Sequence, residues 1–176
     1  AEFDLEKLER SSTSKWSNYQ RGVAWALQKE GFHLPGMNLT FTSNVPIGSG
    51  LSSSAAIELA TCTAFQELGA LQLDGVRRAL ICQKAENDFV GMHCGIMDQY
   101  IISLGKENHA LLIDCRDLSY QLVPLPAGIS LVICDTKKRG SRLATPSANA
   151  LSLVETTPEA VLHAAGERAG TLHPPL

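Results

Sequence analysis

The stretch "PIGSGLSSSAAIELA", residues 46–60, constrains this chain more than any other. It concentrates glycine and serine, then turns apolar and alanine-rich without a gap. Residues 37–43, "MNLTFTS", alternate ahead of it and read as a strand. Pro46 ends that strand, because proline cannot donate to a sheet ladder. Residues 52–68 read as a helix with a slim face of Ala55, Ala56, Leu59, Ala60, Thr63 and Ala64, stopped by Gly69. A flexible linker needs no ordered neighbour, so it suits this position poorly. A nucleophilic serine usually sits in G-x-S-x-G, and no serine here has that frame.

A phosphate loop suits the stretch better. Gly48 and Gly50 lack Cβ, so the backbone can adopt positive φ and come close to an anion. The helix starting near Ser52 offers free N–H groups and the positive end of its dipole. Serine hydroxyls add donors, and one can ligate Mg²⁺. No lysine follows, so this is not the G-x-x-x-x-G-K-[ST] loop. An ordinary capped helix start remains an equal alternative on these residues alone.

Other elements follow from periodicity. Residues 14–30 form an amphipathic helix through Trp16, Tyr19, Val23 and Leu27, with Ser14 as N-cap and Gly31 as stop. Asp74 caps a third helix that runs to about Asp88. A fourth spans about 96–104, after Gly95. Residues 110–115 and 120–125 flank a short turn and read as a hairpin, and 130–135 as a further strand. Helices and strands do not alternate strictly, which favours an α+β two-layer domain.

The chain has 176 residues, 44% of them hydrophobic and 19% charged, which suits a globular domain with its own core. A net charge of −3 argues against general binding of nucleic acid. No apolar run approaches the roughly 20 residues that span a bilayer, so no membrane partner is expected. The five cysteines include no CxxC pair and are expected to be reduced, as in a cytoplasmic protein. Scattered histidines argue against structural zinc.

A second constellation is "QKAENDFVGMHCGIMDQY", residues 83–100. Glu86 lies near the end of one helix and Asp98 near the start of the next. The turn between them would aim both carboxylates at one place. In phosphoryl transfer one acid commonly holds Mg²⁺ and another orients or deprotonates the nucleophile. A solvated Glu86 and a helix-capping Asp98 are the plainer alternative. Trp16, Tyr19 and Trp25 read as core or interface, Cys94 as packing, His93 and His109 as surface or loop, and Arg77 and Arg78 as a solvated helix face.

"NVPIGSGLSSSAA", "AENDFVGMHCGIMDQ" and "HALLIDCRDL", in this order, resemble the galactokinases of the galacto-, homoserine-, mevalonate- and phosphomevalonate-kinase (GHMP) superfamily. The likeness runs from about Phe3 to Arg139. It implies the N-terminal lobe of such a kinase, with the fold of ribosomal protein S5 domain 2, here incomplete. It implies that Gly48, Ser49, Gly50, Leu51, Ser52, Ser53 and Ser54 wrap the phosphates of ATP. Ser54 would ligate Mg²⁺ with Glu86. Asp98 would be the catalytic base facing the 1-hydroxyl of D-galactose, and Gly95 would lie against the sugar. The implied product is galactose 1-phosphate, made by a cytoplasmic monomer. A non-catalytic galactokinase-like sensor of sugar and ATP is the alternative; the complete "GLSSSAA" favours an enzyme. Another kinase of the superfamily is weaker, since "CGIMDQ" speaks against it.

Two galactokinase features have no counterpart in these residues. One is the segment G-R-x-N-L-I-G-E-H-x-D-Y, which supplies most sugar contacts and an arginine. The other is a glycine-rich motif of the C-terminal lobe. The expected division is therefore 1–139, a partial GHMP kinase N-terminal domain, and 140–176, a divergent tail. In a shifted frame, codons for Ala144-Thr145-Pro146-Ser147 can spell Asp-Ser-Glu, so the tail reads as frameshifted or disordered, with a short helix over 158–169. Little or no turnover is expected from these residues alone.

Overall fold

The computed structural model describes residues 1–129, 131 and 132. The expected tail from 140 onward, its short helix and most of the strand over 130–135 lie outside the described residues. The chain divides into two compact units, Ala1–Val123 and Pro124–Leu176.

In the first unit, a 3₁₀ turn (Lys15–Ser17) leads into α1 (Asn18–Lys29). Next come α2 (Ser53–Gly69), α3 (Gly75–Lys84), a π turn (Ala85–Val90) and α4 (Met97–Leu104). The strands β1 (His109–Ile113) and β2 (Tyr120–Pro124) pair in a two-stranded sheet. Helices come first and the hairpin after them, so the described fold mixes helix and strand without alternation.

The first helix forms where periodicity predicts it. Its apolar stripe buries Val23, Ala24, Ala26 and Leu27 against Leu59, Cys62 and Phe65 of α2 and Ile81 and Cys82 of α3. Gly22 lets the π turn come close: a Cβ there would sit 3.2 Å from the Ala85 carbonyl oxygen. At the far end of α1, Glu30 takes ion pairs from Arg77 and, at 3.4 Å, from Lys84. Arg78 donates to Gln66 at 3.4 Å. Arg77 thus stays exposed, as expected of a solvated face, while pairing with Glu30; Arg78 is half-buried against Gln66. Trp25 packs at the core margin with its ring 5.8 Å from Phe89, whereas Trp16 is 54% exposed.

A second cluster joins α4 to the hairpin. Ala79, Ile96 and Tyr100 pack with Leu111, Ile113 and Leu118, and the Tyr100 hydroxyl donates to the Leu118 carbonyl at 3.1 Å.

Three sequence expectations change. Residues 37–43 form no ladder among the described residues. Their alternation survives: Met37, Leu39 and Phe41 line one apolar groove with Phe3, Trp16 and Phe65. Helix α2 buries Ser54, Ala55, Glu58, Leu59, Thr61, Cys62 and Phe65, while Ala60 is exposed. Its inward face is therefore rotated toward polar residues. Gly69 remains helical; the left-handed residue is Ala70 (φ 50°), and the Leu71 N–H closes the turn on the Gln66 carbonyl at 2.9 Å. Burial of Leu71 in the core fixes that turn, so the stop follows packing and not glycine.

Candidate functional site

The Gly/Ser loop takes its shape from the backbone. Gly48 (φ 75°), Gly50 (φ 81°) and Ser52 (φ 59°) are all left-handed. Glycine adopts this without strain; for Ser52 it costs about 1 kcal/mol. Successive turns of this kind aim backbone N–H groups into a concavity suited to anions. Ser49 donates to the Pro46 carbonyl at 2.9 Å, closing the loop. Leu51 is exposed, so its contribution to the loop is its backbone.

Helix α2 follows at once. Its first backbone acceptor is the Ser52 carbonyl, bonded by Ala56 N–H at 3.0 Å. The N–H groups of the first turn have no intrahelical partner. The hydroxyls of Ser52, Ser53 and Ser54 make no hydrogen bond within the described residues, although Ser54 is only 8% exposed.

Glu86 sits in the π turn and is buried. Its Oε2 accepts from Gln99 Nε2 at 2.8 Å and from the Cys94 thiol at 3.4 Å. The chain between Glu86 and Asp98 is held by side chains of the preceding helix. Asn87 Oδ1 accepts the Cys94 N–H at 2.8 Å, and Gln83 Nε2 donates to the Cys94 carbonyl at 3.3 Å. Left-handed Gly91 releases the π turn, and Arg10 donates to the Val90 carbonyl at 2.6 Å. Gly95 is exposed, and a Cβ on it would meet nothing within 4 Å. Asp98 lies half-buried in the first turn of α4, where the helix dipole favours a carboxylate.

Glu58, like Gln99, is a residue that sequence reasoning missed. It lies one turn beyond Ser54 on the same face of α2 and is 0% exposed. Its Oε2 accepts from Gln99 Nε2 at 3.3 Å, while Oε1 has no partner among the described residues. Burial, aided by the charge of Glu86, pushes its carboxyl up to about 9, against a smaller downward pull from Gln99. The signal was in the sequence: Glu58 shares a helix face with Ser54, Thr61, Cys62 and Phe65. Burial, then the Glu86 charge and hydrogen bond, likewise pushes the Cys94 thiol up to about 12, so it is a poor nucleophile.

The Gln99 carboxamide thus joins the first turn of α4 to Glu86 in the π turn and to Glu58 of α2. Among the described residues no three His, Cys, Asp or Glu side chains are arranged to hold a metal. A hydroxyl, a carboxylate and phosphate oxygens make a hard-oxygen set of the kind Mg²⁺ takes, because this ion binds through one or two carboxylates plus substrate phosphates. The Ser54 hydroxyl, which makes no hydrogen bond among the described residues, and the Glu86 carboxylate fit that set. No described helix is long and apolar enough to cross a membrane.

Comparison with known proteins bears on the family of the chain. Residues 18–106 match the GHMP kinases N terminal domain. The chain is 51% identical over 138 residues to a galactokinase of Chloroflexus aggregans, covering 78% of this chain and 35% of that protein. It is 51% identical over 134 residues to a galactokinase of Roseiflexus sp., covering 76% and 34%. The crystal structure of Lactococcus lactis galactokinase complexed with galactose is similar at a TM-score of 0.63 and 33% identity, over 74% of this chain and 33% of that one. The chain spans about a third of the length of these relatives. With half of its residues matching that domain around the loop and helices described above, the chain belongs to the GHMP kinase family.

Proposed function

We propose that this chain carries the phosphate-binding and proton-accepting side of a galactokinase site. Gly48, Ser49, Gly50, Leu51, Ser52, Ser53 and Ser54 wrap the phosphates of ATP with backbone N–H groups and hydroxyls. Ser54 and Glu86 hold Mg²⁺, and Asp98 is the general base toward the 1-hydroxyl of D-galactose. Gly95 leaves room for the sugar. The observation that carries the reading is the junction at Gln99. It joins Glu86 to the helix that begins with the serine run, and its sequence neighbour is Asp98.

In the reaction, Asp98 accepts the proton of the sugar 1-hydroxyl as that oxygen bonds to the γ-phosphorus. The bond from γ-phosphorus to the β,γ-bridging oxygen breaks, and ADP leaves. Mg²⁺, when bound, neutralises charge building on the β- and γ-phosphate oxygens. The loop N–H groups and the α2 dipole stabilise the same charge. The buried Glu86 side chain keeps its carboxylate oriented, and Asp98 stays half-open to the sugar.

The reading places the protein in the cytoplasm, acting as a monomer on ATP and galactose. The free thiols of Cys62, Cys82, Cys94 and Cys115 suit the reducing compartment in this reading. The sugar-holding segment of galactokinases is not among these residues. A general base contributes roughly 10²–10⁴-fold, and only on a substrate held in place, so turnover by this chain alone is expected to be low.

Titration with Mg·ATP, in parallel with a coupled ADP-release assay with galactose, tests the reading. The expected result is measurable Mg·ATP affinity that falls in Ser54→Ala and Glu86→Ala. Unchanged affinity in both variants would overturn the assigned metal ligands. Galactose-dependent ADP release that survives Asp98→Ala would remove Asp98 as the base.

A further inference from the structure

Glu58 and Gln99 take no part in the steps above, yet each is 0% exposed beside the site. The Gln99 carboxamide has two N–H donors. Its nitrogen lies 2.8 Å from Glu86 Oε2 and 3.3 Å from Glu58 Oε2, with Cys94 Sγ at 3.7 Å. Its own Oε1 and the Oε1 of Glu58 have no partner among the described residues. Two carboxyl groups and an amide in a helical core cost more than apolar side chains of the same size, above all with buried oxygens unsatisfied. The amide spends its donors on carboxyl groups at the expense of its acceptor. That is poor design for core filling and good design for fixing a carboxylate.

Resting on the reading of Glu86 as a metal ligand, we propose that Gln99 is a positioning residue. Anchored on Glu58 of α2, it holds the Glu86 side chain in the orientation that meets a metal beside Ser54. A glutamate has three rotatable bonds, and an unanchored one would have to be ordered at each binding event. Because Gln99 follows Asp98 directly, the same contact sets the place of the base relative to the metal ligand. Glu58 serves as the fixed post on the helix that carries Ser54.

The test is titration of the 176-residue chain with Mg·ATP, and with ATP in EDTA. The variants are Gln99→Leu, Glu58→Leu, Glu58→Gln, Glu86→Ala and the double change Gln99→Leu/Glu86→Ala. Loss of a residue that orients a metal ligand typically lowers metal-dependent affinity about tenfold or more. Gln99→Leu should therefore weaken Mg·ATP by about that factor and leave metal-free ATP unchanged. Glu58→Gln keeps an oxygen acceptor and should retain affinity; Glu58→Leu should lose it. In the Glu86→Ala background Gln99→Leu should add nothing, since residues acting through one another are not additive. Equal weakening of both forms of ATP, or a full additional loss on top of Glu86→Ala, overturns the proposal. If Gln99→Leu does not fold by circular dichroism, the Glu58 pair decides, and equal affinity of Glu58→Leu and Glu58→Gln overturns it. Loss in Glu86→Ala with none in Gln99→Leu defeats this proposal alone. A starting chain indifferent to Mg²⁺ defeats the reading of Glu86 and this proposal together.

Discussion

Gln99 donates to Glu86 across 2.8 Å and to Glu58 across 3.3 Å, so one carboxamide joins α4, the π turn and α2. Asp98 and Ser54 lie on two of the elements it joins. The geometry of the site thus depends on side chains that do not face a ligand.

The buried Glu58 predicts how stability varies with pH. Its carboxyl rises from 4.5 to about 9 on folding. Between those values the folded chain holds a proton that the unfolded chain releases. Stability therefore falls as pH climbs through that window, by at most about 1.4 kcal/mol per pH unit for one group. Melting temperatures taken across it should decline, and Glu58→Gln should flatten the decline. An identical slope in the variant would exclude Glu58 as the cause.

Cysteine chemistry should separate by environment. Cys115 is exposed, whereas Cys94 donates to Glu86 and its thiol is pushed up to about 12. The thiolate is the reactive form, so iodoacetamide at mildly alkaline pH should modify Cys115 well ahead of Cys94. Peptide mapping by mass spectrometry over a time course reads this directly. Faster labelling at Cys94 would contradict the thiol–carboxylate contact.

A single methyl group should be enough to damage the loop. Gly48 has φ 75°, and a Cβ there meets nothing within 4 Å. The penalty for Gly48→Ala is therefore conformational and of order 1–2 kcal/mol, which corresponds to roughly a tenfold loss of ATP affinity if the loop must keep its shape. Gly36→Ala is the control, since that position is equally open and has no positive φ. Equal affinities for the two variants would mean that ATP does not read the left-handed turn.

The start of α3 should answer to its cap. Asp74 Oδ1 accepts the Arg77 N–H at 2.7 Å. Asp74→Ala should cost about 1 kcal/mol, and Asp74→Ser much less. In a chain of this size the first change lowers the melting temperature by roughly 2–4 °C. A drop of the same size in both variants would point to something other than the cap.

Much of this was legible in the sequence, for identifiable reasons. Helix α1 and the Asp74 cap rest on local periodicity and local hydrogen bonding, which need no tertiary information. Glu86 and Asp98 stood out as acids flanking a tight turn, and the turn does hold Cys94 against Glu86. Glu58 and Gln99 were hidden because a hydrophobic pattern counts Glu and Gln as outward-facing. Their burial depends on partners as far as 41 residues away in sequence. Residues 37–43 were legible as an alternating segment but not as one without a ladder among the described residues, because a ladder is a property of two segments and the sequence of one cannot supply the other.

A π turn is an α-helix that carries one inserted residue, and Ala85–Val90 is such a turn, with both Gly91 and Met92 donating to the Glu86 carbonyl. Removing any one residue from it would restore the regular ladder and swing the chain beyond it by about 100° about the helix axis. Cys94, Asp98 and Gln99 would all turn away from Glu86. The spacing between the two acids is therefore a matter of phase as well as length. Substitution of the exposed Asp88 is tolerable in such a segment, whereas a one-residue deletion is not, and the helix gains regularity only by losing the site.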